Sequence, residues 1–176
     1  LVERLPQVMG TLDADMGALV SDALRNIGVA LYTEESLESF DVDRGHVRAV
    51  VTDQRTLPAD LVILGLGVRP NSTLAGEAEI PLGERGAIKV NERMQTAVEG
   101  VWAAGDCVES FHLVSRKPFY VALGTVANKH GRVAGINLGG GYATFPGVVG
   151  TAVSKVGAVE VAMKTGKGAL RSGAVK

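Results

Sequence analysis

The sequence predicts an α/β protein with an antiparallel β-meander set into it. Three observations carry that prediction. From Thr11 to Ile27, Met16, Leu19, Val20, Ala23, Leu24 and Ile27 recur at helical spacing between short strand-like runs at Leu1–Glu3 and Val29–Tyr32. After them, Ser36–Val42, His46–Thr52 and Leu57–Gly65 read as strands joined by the turns Asp43-Arg44-Gly45 and Asp53-Gln54-Arg55. Two apolar runs, Leu61–Leu64 and Val101–Ala104, then end abruptly in glycine, as buried strands of a parallel sheet do.

Each element has a local cause. Pro6 and Gly10 mark the loop after the first strand, Thr11 or Asp13 can cap the helix, and Gly28 can end it. Leu61–Leu64 lacks polar alternation, so the sequence predicts a strand buried on both faces. Ala87–Val90 is a further short strand, Asn91–Gln95 a turn, and Phe111–Leu113 a loop. A helix is predicted from about Tyr120 to Leu138, with Leu123, Val126, Ala127, Val133, Ala134 and Leu138 on one face. Gly124, Gly131 and Gly135 cost that helix up to about 1 kcal/mol each relative to alanine, so they point to close packing or a ligand beside it. Gly139-Gly140-Gly141 closes it, and Thr151–Met163 reads as one or two strands.

Bulk properties exclude several classes. The 176 residues suffice for one ordinary domain or parts of two, and 46% hydrophobic with 21% charged residues is the balance of a globular protein. A net charge of −1 gives no basis for binding nucleic acid or an anionic membrane. No apolar run reaches the roughly 20 residues that span a bilayer. The single cysteine, Cys107, cannot form an internal disulfide, which suits a reducing cytoplasm. The chain begins at Leu1, so its natural N-terminus is expected to lie upstream.

The most informative stretch is Thr96–Glu109, TAVEGVWAAGDCVE. Gly105 allows a sharp turn or the close approach of a ligand, and Asp106 stands at the carboxyl end of a strand, where open α/β sheets hold ligands. A carboxylate there accepts hydrogen bonds from a polyol, although Gly-Asp is also an ordinary turn. The run Gly65-Leu66-Gly67-Val68-Arg69-Pro70 starts like a dinucleotide fingerprint but places proline at the last glycine position and opens no helix. Asn71-Ser72-Thr73 fits the glycosylation pattern without any secretory context.

With Leu61–Asn71 (LVILGLGVRPN), Leu123–Gly135 (LGTVANKHGRVAG) and Phe145–Val156 (FPGVVGTAVSKV), this stretch resembles the FAD- and NAD(P)H-dependent pyridine nucleotide-disulfide oxidoreductases. The likeness is greatest to the coenzyme A-disulfide reductase and NADH oxidase branch and covers nearly the whole chain. It implies a partial two-dinucleotide-binding-domain flavoprotein fold: residues 1–70 the second half of the NAD(P) domain, 71–142 the last part of the FAD domain, and 143–176 the start of a truncated α+β dimerisation domain. The glycine fingerprints and the redox cysteine would lie upstream.

The resemblance assigns roles. Asp106, with Gly105, would bind the ribityl side of FAD. Leu123, Gly124 and Thr125, at a helix N-terminus, would face the flavin ring. Gly67 would lie in the crossover from the NAD(P) to the FAD domain. Glu3, at a strand end, would bond the adenosine ribose and favour NAD, whereas Arg4 beside it would suit a 2′-phosphate. Cys107 reads as a packing residue rather than the redox centre. His46, His112 and His130 show no ligand spacing, so no metal is expected. Tyr120 could touch a coenzyme A or disulfide substrate from a partner subunit, but packing is the better reading.

The implied enzyme passes hydride from NAD(P)H through FAD to a cysteine that reduces a disulfide such as coenzyme A disulfide. The alternatives are an NADH oxidase or peroxidase, a ferredoxin-type reductase of the same fold, or a non-catalytic nucleotide-binding or dimer-forming fragment. The implied partners are a small-molecule disulfide, oxygen or peroxide and a second copy forming a homodimer, with no nucleic acid and no membrane, in the cytoplasm.

Overall fold

The computed structural model describes the backbone of every residue except Glu84, Lys167, Gly168 and Lys176, and side chains outside residues 164–176. The chain forms two compact units, one of Leu1–Gly65 with Thr151–Lys176, the other of Leu66–Gly150.

In the first unit, β1 (Val2–Glu3) pairs in parallel with β2 (Tyr32–Thr33), in register Val2↔Tyr32. Parallel pairing requires a crossover, and α1 (Ala14–Asn26) supplies it. Asp13 is its N-cap in extended backbone, its carbonyl accepting the Met16 and Gly17 amides. Gly28, at φ 87°, takes the left-handed conformation that closes a helix. The buried stripe runs through Gly17, Val20, Ser21 and Ala23. Leu19 and Ile27, assigned to that face from spacing, are exposed instead, because the core side is centred on Val20. Val20 packs there with Val8, Leu12 and Val161.

The meander forms as β3 (Leu37–Asp43), β4 (His46–Thr52) and β5 (Thr56–Pro58), antiparallel in sequence order. Arg44 at φ 50° and Gly45 at φ 83° both lie in the left-handed region, the conformation that matches the twist of a two-residue hairpin loop. Buried Glu35 anchors the opposite end. It accepts the Thr52 hydroxyl at 2.5 Å and ion-pairs with Arg55 at 3.0 Å. The third strand stops at Pro58, so only the start of the strand predicted over Leu57–Gly65 forms, and the doubly buried segment expected at Leu61–Leu64 does not. Residues 61–70 carry no regular structure, and Leu61 and Ile63 are 74% and 86% exposed. No neighbouring strand pairs with them among the described residues, and an apolar run without neighbours cannot satisfy its backbone as a strand. The unit also holds β8 (Thr151–Val156), β9 (Val159–Gly166) and β10 (Ala169–Val175), an antiparallel sheet in which β9 is central.

The second unit contains α2 (Thr73–Glu77), the hairpin β6 (Ser110–His112) and β7 (Lys117–Phe119), and α3 (Gly124–Leu138). Residues 111–113, expected to be loop, lie largely in β6, because Phe111 pairs with Pro118 across the hairpin. The helix expected from Tyr120 begins at Gly124, since Leu123 is still extended. The strands expected at Ala87–Val90 and Val101–Ala104 reduce to isolated bridges, Ile88 with Leu82 and Val108, and Trp102 with Gln95. Met94, Val126, Val133, Ala134, Phe145 and Val148 form the larger core, and Ala75, Ile88 and Val108 a smaller one. Buried Asn137 ties α3 to both neighbouring loops. Its amide nitrogen donates to Arg93, Val133 and Ala143 carbonyls, and its oxygen accepts from Arg93 and the Ala143 amide. Among the described residues no helix is long and apolar enough to cross a membrane.

Candidate functional site at the Gly105–Asp106 turn

The loop before the turn is built from its own polar groups. The Asn91 side-chain oxygen accepts the Arg93 and Gln95 amides at 2.9 and 3.1 Å. The Thr96 hydroxyl donates to the Val101 carbonyl at 3.0 Å and accepts the Val98 amide at 3.2 Å. Residues 101–104 therefore leave this loop in a fixed direction and reach Gly105 at φ 96°, a conformation that strongly favours glycine. Nothing lies within 4 Å of where a Cβ would stand, so the backbone here is open to close approach.

After Gly105 the chain is pinned again. The Gly105 carbonyl accepts the Val108 amide at 3.1 Å, and Ile88 bonds the Cys107 carbonyl and Glu109 amide at 2.8 and 2.9 Å. Cys107 is half-buried, its thiol 3.6 Å from the Ala104 carbonyl. Asp106 itself is exposed, and its carboxylate makes no hydrogen bond or ion pair among the described residues. A fixed turn with a free carboxylate at its tip can receive hydroxyl donors.

The α3 N-terminus supplies the complementary charge. No side chain caps it, and Leu123, Gly124 and Thr125 are exposed. A helix start carries unpaired amides and roughly half a positive charge, which favours an anionic group. Gly124, Gly131 and Gly135 have nothing within 4 Å of a built Cβ, so this face has room for a ligand or another segment to approach.

His130 ties α3 to Ser110 at the start of β6. The side chain is buried, with Nε2 3.2 Å from the Ser110 hydroxyl and the ring in a T-shaped contact with Phe145, centroids 4.6 Å apart. Burial pushes its pKa below the ordinary value, partly opposed by the Gly105 backbone and the Asp106 carboxylate. Burial likewise raises the Tyr120 phenol, with Asp106 and then Cys107 adding to it. From sequence, Tyr120 reads as packing and His130 as a surface or packing residue without ligand spacing. A signal was present: Val126, His130, Val133, Ala134 and Asn137 form one buried stripe in which two members are polar.

The other two predicted residues belong to other segments. Glu3 belongs to the first unit, where its carboxylate accepts the Leu5 amide at 2.8 Å and Arg4 beside it is exposed. Gly67, at φ 77°, turns the exposed segment after Leu66. An open cavity of about 530 Å³, lined in part by Met94, Ser110, Phe111, Arg116 and Phe145, includes none of the predicted site residues. Among the described residues no group of three or more His, Cys, Asp or Glu could hold a metal ion. His112 serves structure, with Nδ1 accepting the Ser115 amide and Nε2 facing the Val149 carbonyl.

This architecture has relatives. The chain is 40% identical over 167 residues to an NAD(P)H sulfur oxidoreductase (CoA-dependent) of Pyrococcus furiosus, an alignment covering 94% of this chain and 37% of that protein. It is 39% identical over 162 residues to an NADH oxidase of Methanocaldococcus jannaschii, covering 92% and 36%. The crystal structure of an FAD-dependent pyridine nucleotide-disulphide oxidoreductase from Desulfovibrio vulgaris superposes with a TM-score of 0.87 at 40% identity, over 93% of this chain and 41% of that one. The chain thus spans little more than a third of the length of these curated relatives. The family profile described as pyridine nucleotide-disulphide oxidoreductase matches residues 1–143, and the chain belongs to that family.

Proposed function

We propose that this chain is part of an FAD-dependent oxidoreductase that takes hydride from NAD(P)H and reduces a small sulfur substrate such as coenzyme A disulfide. The observation carrying this reading is the free Asp106 carboxylate on a fixed glycine turn, in the same unit as the uncapped N-terminus of α3, in a chain of this family. The residues present fit FAD. Asp106 would accept ribityl hydroxyls, and charge-assisted bonds of that kind are worth about 1.5–3 kcal/mol each. Gly105 leaves space for the ligand backbone. The amides at Leu123, Gly124 and Thr125 would hold the flavin edge that gains negative charge on reduction. Bound FAD supplies two-electron transfer between nicotinamide and thiol.

Glu3 would accept a ribose hydroxyl of the nicotinamide cofactor with the oxygen not engaged by Leu5, and Gly67 would allow the crossover between nucleotide domains. The thiol receiving the electrons would lie outside these 176 residues, leaving Cys107 a packing role. Residues 1–70, 71–142 and 143–176 would belong to the NAD(P), FAD and dimerisation domains of a cytoplasmic homodimer. A second reading, reduction of oxygen, is favoured by the likeness to the M. jannaschii NADH oxidase.

The test uses the full-length protein. Its visible flavin spectrum should be accompanied by NADH-dependent release of thiol from coenzyme A disulfide. Fast oxygen consumption without thiol release would select the oxidase reading, and a flavin-free protein would reject both.

A further inference from the structure

We propose that His130 is a positioning residue for the flavin motif, holding the Gly105–Asp106 turn from α3 while Ser110 fixes the ring. The inference rests on the FAD reading above and extends it to two residues outside the motif.

The geometry gives the reason. The turn is already held on one side, where Val108 is 1% exposed and Ile88 bonds residues on either side of it. On another side Ala104, just before the turn, packs against the core that α3 lines with Val126, Val133 and Ala134, and the buried stripe of α3 carries an imidazole among largely apolar residues. An apolar side chain would pack in that stripe without a polar atom to satisfy. The imidazole instead has Nε2 on Ser110 and Nδ1 without a full hydrogen-bond partner. Three buried side-chain polar atoms lack a hydrogen bond among the described residues, and two of them, His130 Nδ1 and the Tyr120 hydroxyl, belong to groups that feel Asp106. The third, on Glu35, is already ion-paired with Arg55. Polar groups held within electrostatic reach of a carboxylate bias its orientation before a ligand arrives, and preorganisation of that kind strengthens binding. The Gly105 carbonyl, bonded once to Val108, keeps a lone pair for the ring.

The test measures FAD dissociation constants of the deflavinated full-length protein carrying His130→Leu, His130→Gln or Ser110→Ala, each also with Asp106→Asn. His130→Leu should weaken FAD binding about tenfold, the scale of one hydrogen bond. His130→Gln, which keeps a polar tip, should recover most of that loss. In the Asp106→Asn background His130→Leu should cost less than about threefold, because residues acting through one another are non-additive. Equal losses in both backgrounds, or a glutamine variant as weak as leucine, would overturn the inference and leave only packing. If His130→Leu does not fold, Ser110→Ala carries the same comparison, with about threefold weaker binding expected only when Asp106 is present. A wild-type protein that binds no FAD would reject the functional reading itself, and this inference with it. Wild-type binding with unaffected variants would reject the inference alone.

Discussion

Leu61–Leu64 and Val101–Ala104 look alike in sequence, each an apolar run that stops at a glycine, yet the fold treats them in opposite ways. The first is open to solvent, without a paired strand among the described residues. The second is half-buried, joined to Met94 and Gln95 by the Ala103 amide and the Trp102 bridge, with Trp102 and Ala104 packed on the larger core. The difference lies in what each run meets. Val101–Ala104 folds back onto a loop only a few residues away, so local contacts hold it. Leu61–Leu64 follows a strand that ends at Pro58, and among the described residues no strand pairs with it. Apolar character makes burial favourable, but only a neighbour can provide it.

The largest effect should come at the glycine end of the supported run. In the full-length protein Asp106→Ala should weaken FAD binding by about one to four decades, the loss of one or two charge-assisted hydrogen bonds. Glu3→Ala should leave flavin content unchanged and raise the KM for the nicotinamide cofactor. Equilibrium flavin titration beside steady-state kinetics separates the two. An Asp106→Ala protein that binds FAD like wild type would break the reading of this run as a ligand site.

Next in size is the support behind the run. Asn137→Ala removes a buried group satisfied on both its atoms and strands the Arg93 and Ala143 partners. It should lower stability by about 2–3 kcal/mol, measured by urea unfolding of the 176-residue chain.

The direct comparison of the two runs comes third. In the 176-residue chain Ile63→Lys should change stability by less than about 0.5 kcal/mol, as exposed positions do, whereas Trp102→Ala should cost about 1–3 kcal/mol. In the full-length protein Ile63→Lys should become clearly destabilising if residues outside this chain cover the segment. Equal effects of Ile63→Lys in both proteins would show that the segment stays exposed.

The smallest effect is a pH slope. Burial keeps the His130 pKa in the folded chain below its ordinary value of 6.5. Between those two values the unfolded chain binds a proton that the folded chain does not, so stability rises with pH through that window. It should therefore be lost as pH falls below about 6.5 toward the folded pKa. His130→Gln should flatten that slope, read from unfolding midpoints at pH 5 to 8.

The meander, its turns and the paired positions of α1 and α3 were legible because they depend on periodicity and on turn chemistry within a few residues. Asp43-Arg44-Gly45 specifies its hairpin by itself, and His46–Thr52 forms β4 with the boundaries its alternation suggests. Family membership was legible for a related reason, since motifs such as Gly105-Asp106 are local strings. Tertiary structure alone decided the rest. It rotated the buried face of α1 away from Leu19 and Ile27, left Leu61–Leu64 uncovered, and made β6 from residues that read as loop. It also set His130 and Tyr120 within electrostatic reach of Asp106, a grouping no spacing could reveal because it joins a turn, a linker and a helix interior. Periodicity states which side chains favour burial, while the partner that buries or bonds them is fixed by long-range packing.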